Sequence, residues 1–398
     1  MVSKHTDDGS HYSFSKLSMT TLKTRFIHSI NDIDAAIWNE LCSTDYPFLR
    51  HEFFAALENG GSISDKTGWQ PYHLLLESDS RLLGAMPLFL KAHSYGEYVF
   101  DWAWADAYHR HGFNYYPKLL NAIPFTPATG PRWSISTELD QSLGLQAMHG
   151  AIADAIADMQ LSSGHILFAT HHASRQWCNL GWLQRTGCQF HWRNQGYRDF
   201  ADFLDSFTSR KRKTVKKERA HVYDQGITMT IKEGADISNE DWRQFYYFYQ
   251  TTYLKHSGSA GYLTADTFFL LARTMAQYLV LIQAQRGREI IAGALCFRGD
   301  GTLYGRYWGC VQEFAHLHFE TCYYSGIEYA IDSGLVYFDP GAQGEHKIQR
   351  GFQPTLTYSN HWIANNQFRD AIEAFACDEQ KNVERYHRQA SGRLPFKH

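Results

Sequence analysis

LYGRYWGC (residues 303–310), followed by HLHFETCYYSGIEYAIDSGLVYFDPGAQGEHKIQRGFQPTLTYSNHWI (316–363), decides how this chain reads. The first segment alternates as a strand does. The spacing turns helical over Phe319–Ser333 and returns to a short strand at Tyr337–Phe338. It then breaks into a turn holding Asp339, Gly341, Gly344, Glu345, His346, Lys347 and Arg350, before a last strand over Thr355–Trp362. A polar, glycine-rich loop after a buried strand is where α/β proteins carry chemistry on a rigid scaffold. An acid, an imidazole and two cations within twelve residues suit an anionic or acyl substrate.

Working outward, the same order of elements occurs twice. The first pass runs from a strand at Thr24–Ile30 through helices at Asp32–Cys42 and up to Gly60–Gly61, then a hairpin of Pro71–Glu77 and Leu82–Lys91. An extended aromatic stretch, Tyr95–Trp104, precedes an Ala-rich helix at Leu143–Met159. A strand at Ile166–Thr170, a helix at Gln176–Thr186 and a strand at Cys188–Trp192 complete it. The second pass opens with a helix at Tyr197–Phe207, a basic helix at 209–219 and a strand at Gly226–Lys232. Helices at Asn239–His256 and Thr264–Gln277 lead to strands at Leu279–Ala284, Ile290–Arg298 and Thr302–Cys310. A helix over 366–388 closes the chain. The pattern predicts an α/β (α+β) fold of two tandem domains, 22–195 and 196–398, after a disordered tail at 1–21. Each domain would be a mixed, mostly antiparallel sheet flanked by helices.

Composition limits the function classes. At 398 residues the chain is too long for one ordinary core, and 44% hydrophobic residues supply two. A formal net charge of −3 gives no global attraction to nucleic acid or an anionic membrane. Seven cysteines stand far apart with no CxxC pair, which fits free thiols in a reducing compartment. The start lacks the apolar core of a signal peptide, and no window is apolar enough to span a bilayer, so the expected location is cytoplasmic. Peripheral membrane contact stays open. Two fused halves make a monomer the expected state.

The doubled order resembles the acetyltransferase fold called GNAT. SRKRKTVKKERAHVYDQGITMTI (209–231) and HKIQRGF (346–352) resemble segments of FemABX-type aminoacyltransferases. FDWAWADAYHRHGFNYYPKLLNAIPFTPATGPR (100–132) and FDPGAQGEHKIQRGFQP (338–354) resemble the bacterial FemAB-like proteins of peptidoglycan biosynthesis or recognition. The resemblance runs from about residue 22 to the end. It implies transfer of an acyl or aminoacyl group to an amine, with acyl-CoA or aminoacyl-tRNA as donor and a small molecule or cell-wall precursor as acceptor. GNAT enzymes that use acetyl-CoA carry a Q/R-x-x-G-x-G/A loop that cradles pyrophosphate with backbone N–H groups. Gly341, Gly344 and Gly351 lack that spacing, whereas Fem-type enzymes take their acyl group from aminoacyl-tRNA. Acetyl-CoA-dependent N-acetylation of a small amine and non-catalytic recognition of a lipid-linked precursor remain as alternatives.

Amine acylation needs a base for the amine and donors for the oxyanion. Lys347 and Arg350 are the expected cations, and His346 and Glu345 the expected bases, with Asp339 and Gly344 shaping their turn. Period two would place Tyr304, Arg306 and Trp308 together on one strand face lining the cleft. In the first half, Asp101, Trp104, Asp106 and His109, with Arg132 on the adjoining loop, form the expected pocket wall. Arg210, Lys213 and Lys217 are expected to hold a polyanion such as tRNA. His316, His318 and Glu320 would share a face only if extended, so no metal is expected.

Overall fold

A computed structural model describes residues 22–342 and 344–397; the expectation for 1–21 lies outside them. The strands are β1 (Lys23–Ile27), β2 (Trp69–Pro71), β3 (His73–Ser78), β4 (Arg81–Met86), β5 (Phe89–Lys91), β6 (Lys118–Asn121), β7 (Ser134–Ile135) and β8 (Ser163–Ala169). There follow β9 (Leu183–Arg193), β10 (Ile227–Glu233), β11 (Leu279–Arg286), β12 (Glu289–Gly299), β13 (Thr302–Cys310), β14 (Tyr337–Asp339) and β15 (Gln353–Ile363). The helices are α1 (Ala35–Cys42), α2 (His51–Asn59), α3 (Trp102–Arg110), α4 (Gln141–Asp158), α5 (His171–Asn179) and α6 (Phe200–Asp205). After them come α7 (Ser209–Asp224), α8 (Asn239–Ser257), α9 (Ala265–Thr274), α10 (Leu317–Phe319), α11 (Ser325–Asp332) and α12 (Asn366–Ser391).

Eleven strands form one mixed sheet in the order β10-β11-β12-β13-β14-β9-β15-β8-β6-β5-β2, and β1, β3, β4 and β7 form a second. The β12–β13 hairpin turns at Asp300-Gly301, both with positive φ (51° and 66°), the geometry that matches strand twist. The halves are interleaved. β9, from the first half, lies between β14 and β15, and β15, from the second half, lies between β9 and β8. A boundary at 195 therefore divides the chain but not the sheet. One core also spans the halves: Phe48, Phe53 and Trp38 pack with Phe297, Tyr304 and Tyr307.

Three expectations are corrected. The stretch expected to be extended over Tyr95–Trp104 turns helical from Trp102, and the helix runs to Arg110 because Trp104 and Tyr108 are spaced i, i+4 and bury one face. The helix expected at Gln176–Thr186 lies earlier, at His171–Asn179, and β9 already begins at Leu183. Alternation along β13 is broken by a bulge. Leu295 faces Tyr307 and Cys296 faces Gly305, so Arg306 has no residue opposite it. Tyr304 and Tyr307 thus share the first core, while Trp308 packs on the other side with Tyr323 and its neighbours. No helix among the described residues is long and apolar enough to cross a membrane.

Candidate active site

β13 and β14 pair in parallel only from Thr302–Tyr304 to Tyr337–Asp339. Beyond that point they separate, and Gly305, Arg306 and Pro340 border a cavity of about 80 Å³ together with Cys296, Cys322 and Tyr323. Trp308 and His318 connect this space to a second cavity of about 360 Å³ lined by Lys255, Cys310 and Phe314. A third cavity, about 260 Å³, is bordered by Ala342, Thr186, Gln189, Ser359, Phe100 and Arg185. The segment Asp339–Ala342 therefore touches one cavity through Pro340 and another through Ala342.

The charged groups of the turn converge here. The Arg306 guanidinium donates to Asp339 Oδ2 at 2.7 Å and to the Gly305 carbonyl at 2.8 Å. The Gly341 N–H donates to Asp339 Oδ1 at 2.9 Å. Burial alone would raise the Asp339 carboxyl, but Arg306 and His191 outweigh it and hold the group at about 2. Lys347 is 1% exposed, and its ammonium donates to the Gly341 carbonyl at 2.6 Å. Burial pulls Lys347 down to about 8, with Asp339 opposing and Arg306 reinforcing the shift. A lysine in this state carries charge at neutral pH but gives up a proton readily.

His191, on β9, completes the cluster and was missed from sequence. Its Nε2 lies 3.1 Å from Gln189 Oε1 and 3.7 Å from Asp339 Oδ1. It lies well over a hundred residues from the turn it meets, and only the insertion of β9 beside β14 brings the two together.

The other expected residues divide. His346 sits on the turn with Nε2 2.8 Å from the Tyr323 hydroxyl, and burial with Arg350 and Lys347 lowers its pKa. Gly344 has φ +111°, and a Cβ there would strike the His346 ring, so the turn admits only glycine. Trp308 lines both cavities of the strand splay. Trp104 is buried, 5.0 Å from the His361 ring and 5.2 Å beneath the Arg185 guanidinium. Asp101 is buried in an ion cluster with Lys118 and Glu97.

Several residues do not belong to the site. Glu345 points outward and accepts from the Tyr386 hydroxyl. Asp106 and His109 lie on the exposed face of α3, where Asp106 pairs with Arg110. Arg132 is buried, but its guanidinium donates to the carbonyls of Ala128, Pro131 and Leu167, which fastens its loop to β8. Tyr304 is packed against Tyr46 and Phe48 in the core. No cluster of His, Cys, Asp or Glu able to hold a metal occurs among the described residues.

Arg350 is a brace. It donates to both Glu218 oxygens at 3.0 and 2.9 Å and to the His346 carbonyl at 2.7 Å, with its guanidinium 3.4 Å over the Phe319 ring. Lys211 bonds Gln349 beside it, so α7 is tied to the turn at two points. Arg350→Ala is expected to cost about 3 kcal/mol in urea unfolding, because Glu218 would be left partly buried with the Tyr324 hydroxyl but no cation. A loss below about 1 kcal/mol would reject this bracing role.

The remaining cations of α7 are differently placed. Arg212 pairs with Asp205, and Arg219 with Glu320 and Glu328. Arg210, Lys213, Lys216 and Lys217 are exposed and have no acidic partner among the described residues.

The crystal structure of FemX aligns over 88% of this chain and 100% of its own, at 12% identity and a TM-score of 0.52. The C-terminal domain of a putative lysylphosphatidylglycerol synthetase from Agrobacterium fabrum aligns over 89% of this chain and 97% of its own, at 10% identity and a TM-score of 0.52. A tandem GNAT protein from the clavulanic acid pathway aligns at 9% identity over 86% of this chain and 99% of its own, with a TM-score of 0.48. No curated protein matches the sequence. The expected α/β class, mixed sheet flanked by helices, is observed, with one large sheet running through both halves where a sheet per domain was expected. A family model described as FemAB-like, peptidoglycan biosynthesis/recognition, matches residues 29–398, and the chain belongs to that family.

Proposed function

We propose that this protein is an acyltransferase that moves an acyl or aminoacyl group from an activated donor onto an amine of a cell-wall precursor. The observation that carries this reading is a buried lysine whose ammonium bonds the Gly341 carbonyl, between Pro340 on one cavity and Ala342 on the other. The cavity at the β13–β14 splay would take the donor's acyl group, and the cavity beyond Ala342 would admit the acceptor amine. Lys347 would face the carbonyl between them. Its two N–H groups not used by Gly341 can meet the oxyanion and then the departing oxygen or sulfur. Asp339 and Arg306 hold that turn rigid, which serves positioning of the two substrates. Domains 22–195 and 196–398, a monomeric state and a cytoplasmic location all fit this reading.

The donor is proposed to be carried on a polyanion that rests against α7. The exposed Arg210, Lys213, Lys216 and Lys217 favour aminoacyl-tRNA, the donor that the family resemblance implies. A second reading, acyl-CoA, is favoured by the linked cavities along the splayed edge of β13, which suit a thioester on a narrow arm. Mass spectrometry of an amine acceptor incubated with each donor separates them. With tRNA as donor, Lys213→Glu/Lys217→Glu is expected to weaken tRNA binding at least about tenfold near 0.1 M salt. It should also flatten the salt dependence by about two phosphate contacts. An unchanged slope, with product from acyl-CoA alone, would settle on the second reading. Absence of product with either donor would reject the acyltransferase.

A further inference from the structure

We infer that His191 is the general base that takes the proton from the attacking amine, through its Nδ1. The inference rests on the acyltransferase reading, but the geometry is its own argument.

The tautomer follows from a chain of hydrogen bonds with fixed direction. The Pro127 carbonyl can only accept, so the Gln189 amide must turn its Nε2 toward it, and does so at 2.9 Å. That leaves Gln189 Oε1, also only an acceptor, facing His191 Nε2 at 3.1 Å. His191 Nε2 must therefore carry the hydrogen. The lone pair is left on Nδ1, which has no hydrogen-bond partner among the described residues. The side chain is 17% exposed, and Nδ1 is not among the sealed, unpartnered polar atoms of the described residues.

The position suits the role. Gln189 borders the cavity beyond Ala342, through which the amine would arrive, and Asp339 stands on the cavity-dividing segment. Three charged groups face His191 from the elements around it: Asp339 on β14, Arg306 on β13 and Lys347 on the turn. Burial and the two cations keep the ring neutral, with a pKa below the usual 6.5, while Asp339 opposes them. The carboxylate 3.7 Å from Nε2 would stabilise the imidazolium once formed. Neither base expected from sequence is placed as well. Glu345 faces outward, and His346 already bonds Tyr323.

The step balances without a further reactant. The amine nitrogen bonds to the acyl carbon as its proton passes to Nδ1. The bond from that carbon to the ribose oxygen or thioester sulfur then breaks, and the leaving atom takes back the proton. Atoms and electrons are conserved, and the ring returns to its starting tautomer.

The test uses the whole protein with whichever donor gives product. In wild type, kcat/KM should decline on the acidic side with one group titrating below 6.5. His191→Gln should lower kcat about 100-fold, abolish that acidic limb, and leave KM within about threefold and Tm within a few degrees. A preserved limb, or its loss in His346→Gln instead, overturns the inference while leaving the acyltransferase reading intact. Failure of wild type to transfer with any donor overturns both. The resting tautomer is read separately by ¹⁵N NMR of the histidine rings. Nε2–H at His191 agrees with the assignment, whereas Nδ1–H overturns it whatever the kinetics show.

Discussion

Lys347→Ala is expected to lower kcat by about two to three orders of magnitude, the usual effect of removing a charged donor from a developing oxyanion. The fold should survive. Asp339, the nearest carboxylate, keeps Arg306 and the Gly341 N–H as partners, so no charge is stranded when the ammonium is removed. Burying the ammonium is already costly, as its depressed pKa of about 8 shows, and its removal relieves that cost. Tm should therefore stay within a few degrees of wild type. The same shift fixes the sign of the alkaline pH response. Activity that needs the protonated amine falls as pH rises through about 8, well below the usual lysine range. Lys347→Met should remove the alkaline limb together with the rate. A variant that retains most of the wild-type kcat, with its alkaline limb in place, would exclude Lys347 from the chemistry.

What could be read from sequence followed contact distance along the chain. Asp339, His346, Lys347 and the glycines meet within one turn, so their grouping was visible in twelve consecutive residues. The partners of that turn were not. His191 arrives from the other half by strand insertion, and Glu218 arrives on a helix whose many cations masked its role. Arg306 keeps the face of Tyr304, but Trp308 does not, because one extra residue in β13 reverses the alternation beyond Arg306, and composition carries no signal for that. The start of α3, Trp102–Trp104, reads as extended in sequence because aromatic residues suit a strand as well as a helix, and tertiary burial of Trp104 and Tyr108 decides between them. Asp106 and His109 were lost to the site by the same change, because helical spacing turns them outward. Arg132 shows a further limit. A buried arginine saturated by carbonyls looks, in sequence, the same as one awaiting a ligand.

The largest expected loss of stability lies away from the turn, at Lys118. This residue is fully buried on β6, and its ammonium bonds Ser94, Glu97 and Asp101. Lys118→Met should destabilise the protein by about 3–5 kcal/mol at pH 8, because two buried carboxylates lose their common cation. Burial already pushes Glu97 up to about 7 against the pull of Lys118. Asp101 is held at about 2, the ion contacts overriding its burial. Without Lys118 both carboxyls rise, so the folded variant binds protons that the unfolded chain releases. Its deficit should therefore shrink as pH falls below the raised folded-state values and grow as pH rises. Urea unfolding at pH 8 and at 5.5 measures that difference directly. Adding Glu97→Gln and Asp101→Asn should restore much of the loss and flatten its pH dependence, since neutral amides need no cation. The consequence reaches the proposed acceptor cavity. Asp101 follows Phe100, which forms part of that cavity's wall, and the Tyr115 hydroxyl ties Asp101 toward His165 and the strands behind it. Lys118→Met should accordingly raise KM for the acceptor more than it lowers kcat, whereas Lys347→Ala should do the reverse. A variant with full stability at pH 8 would mean that the cluster is already neutral in the native protein, with Lys118 uncharged against protonated acids.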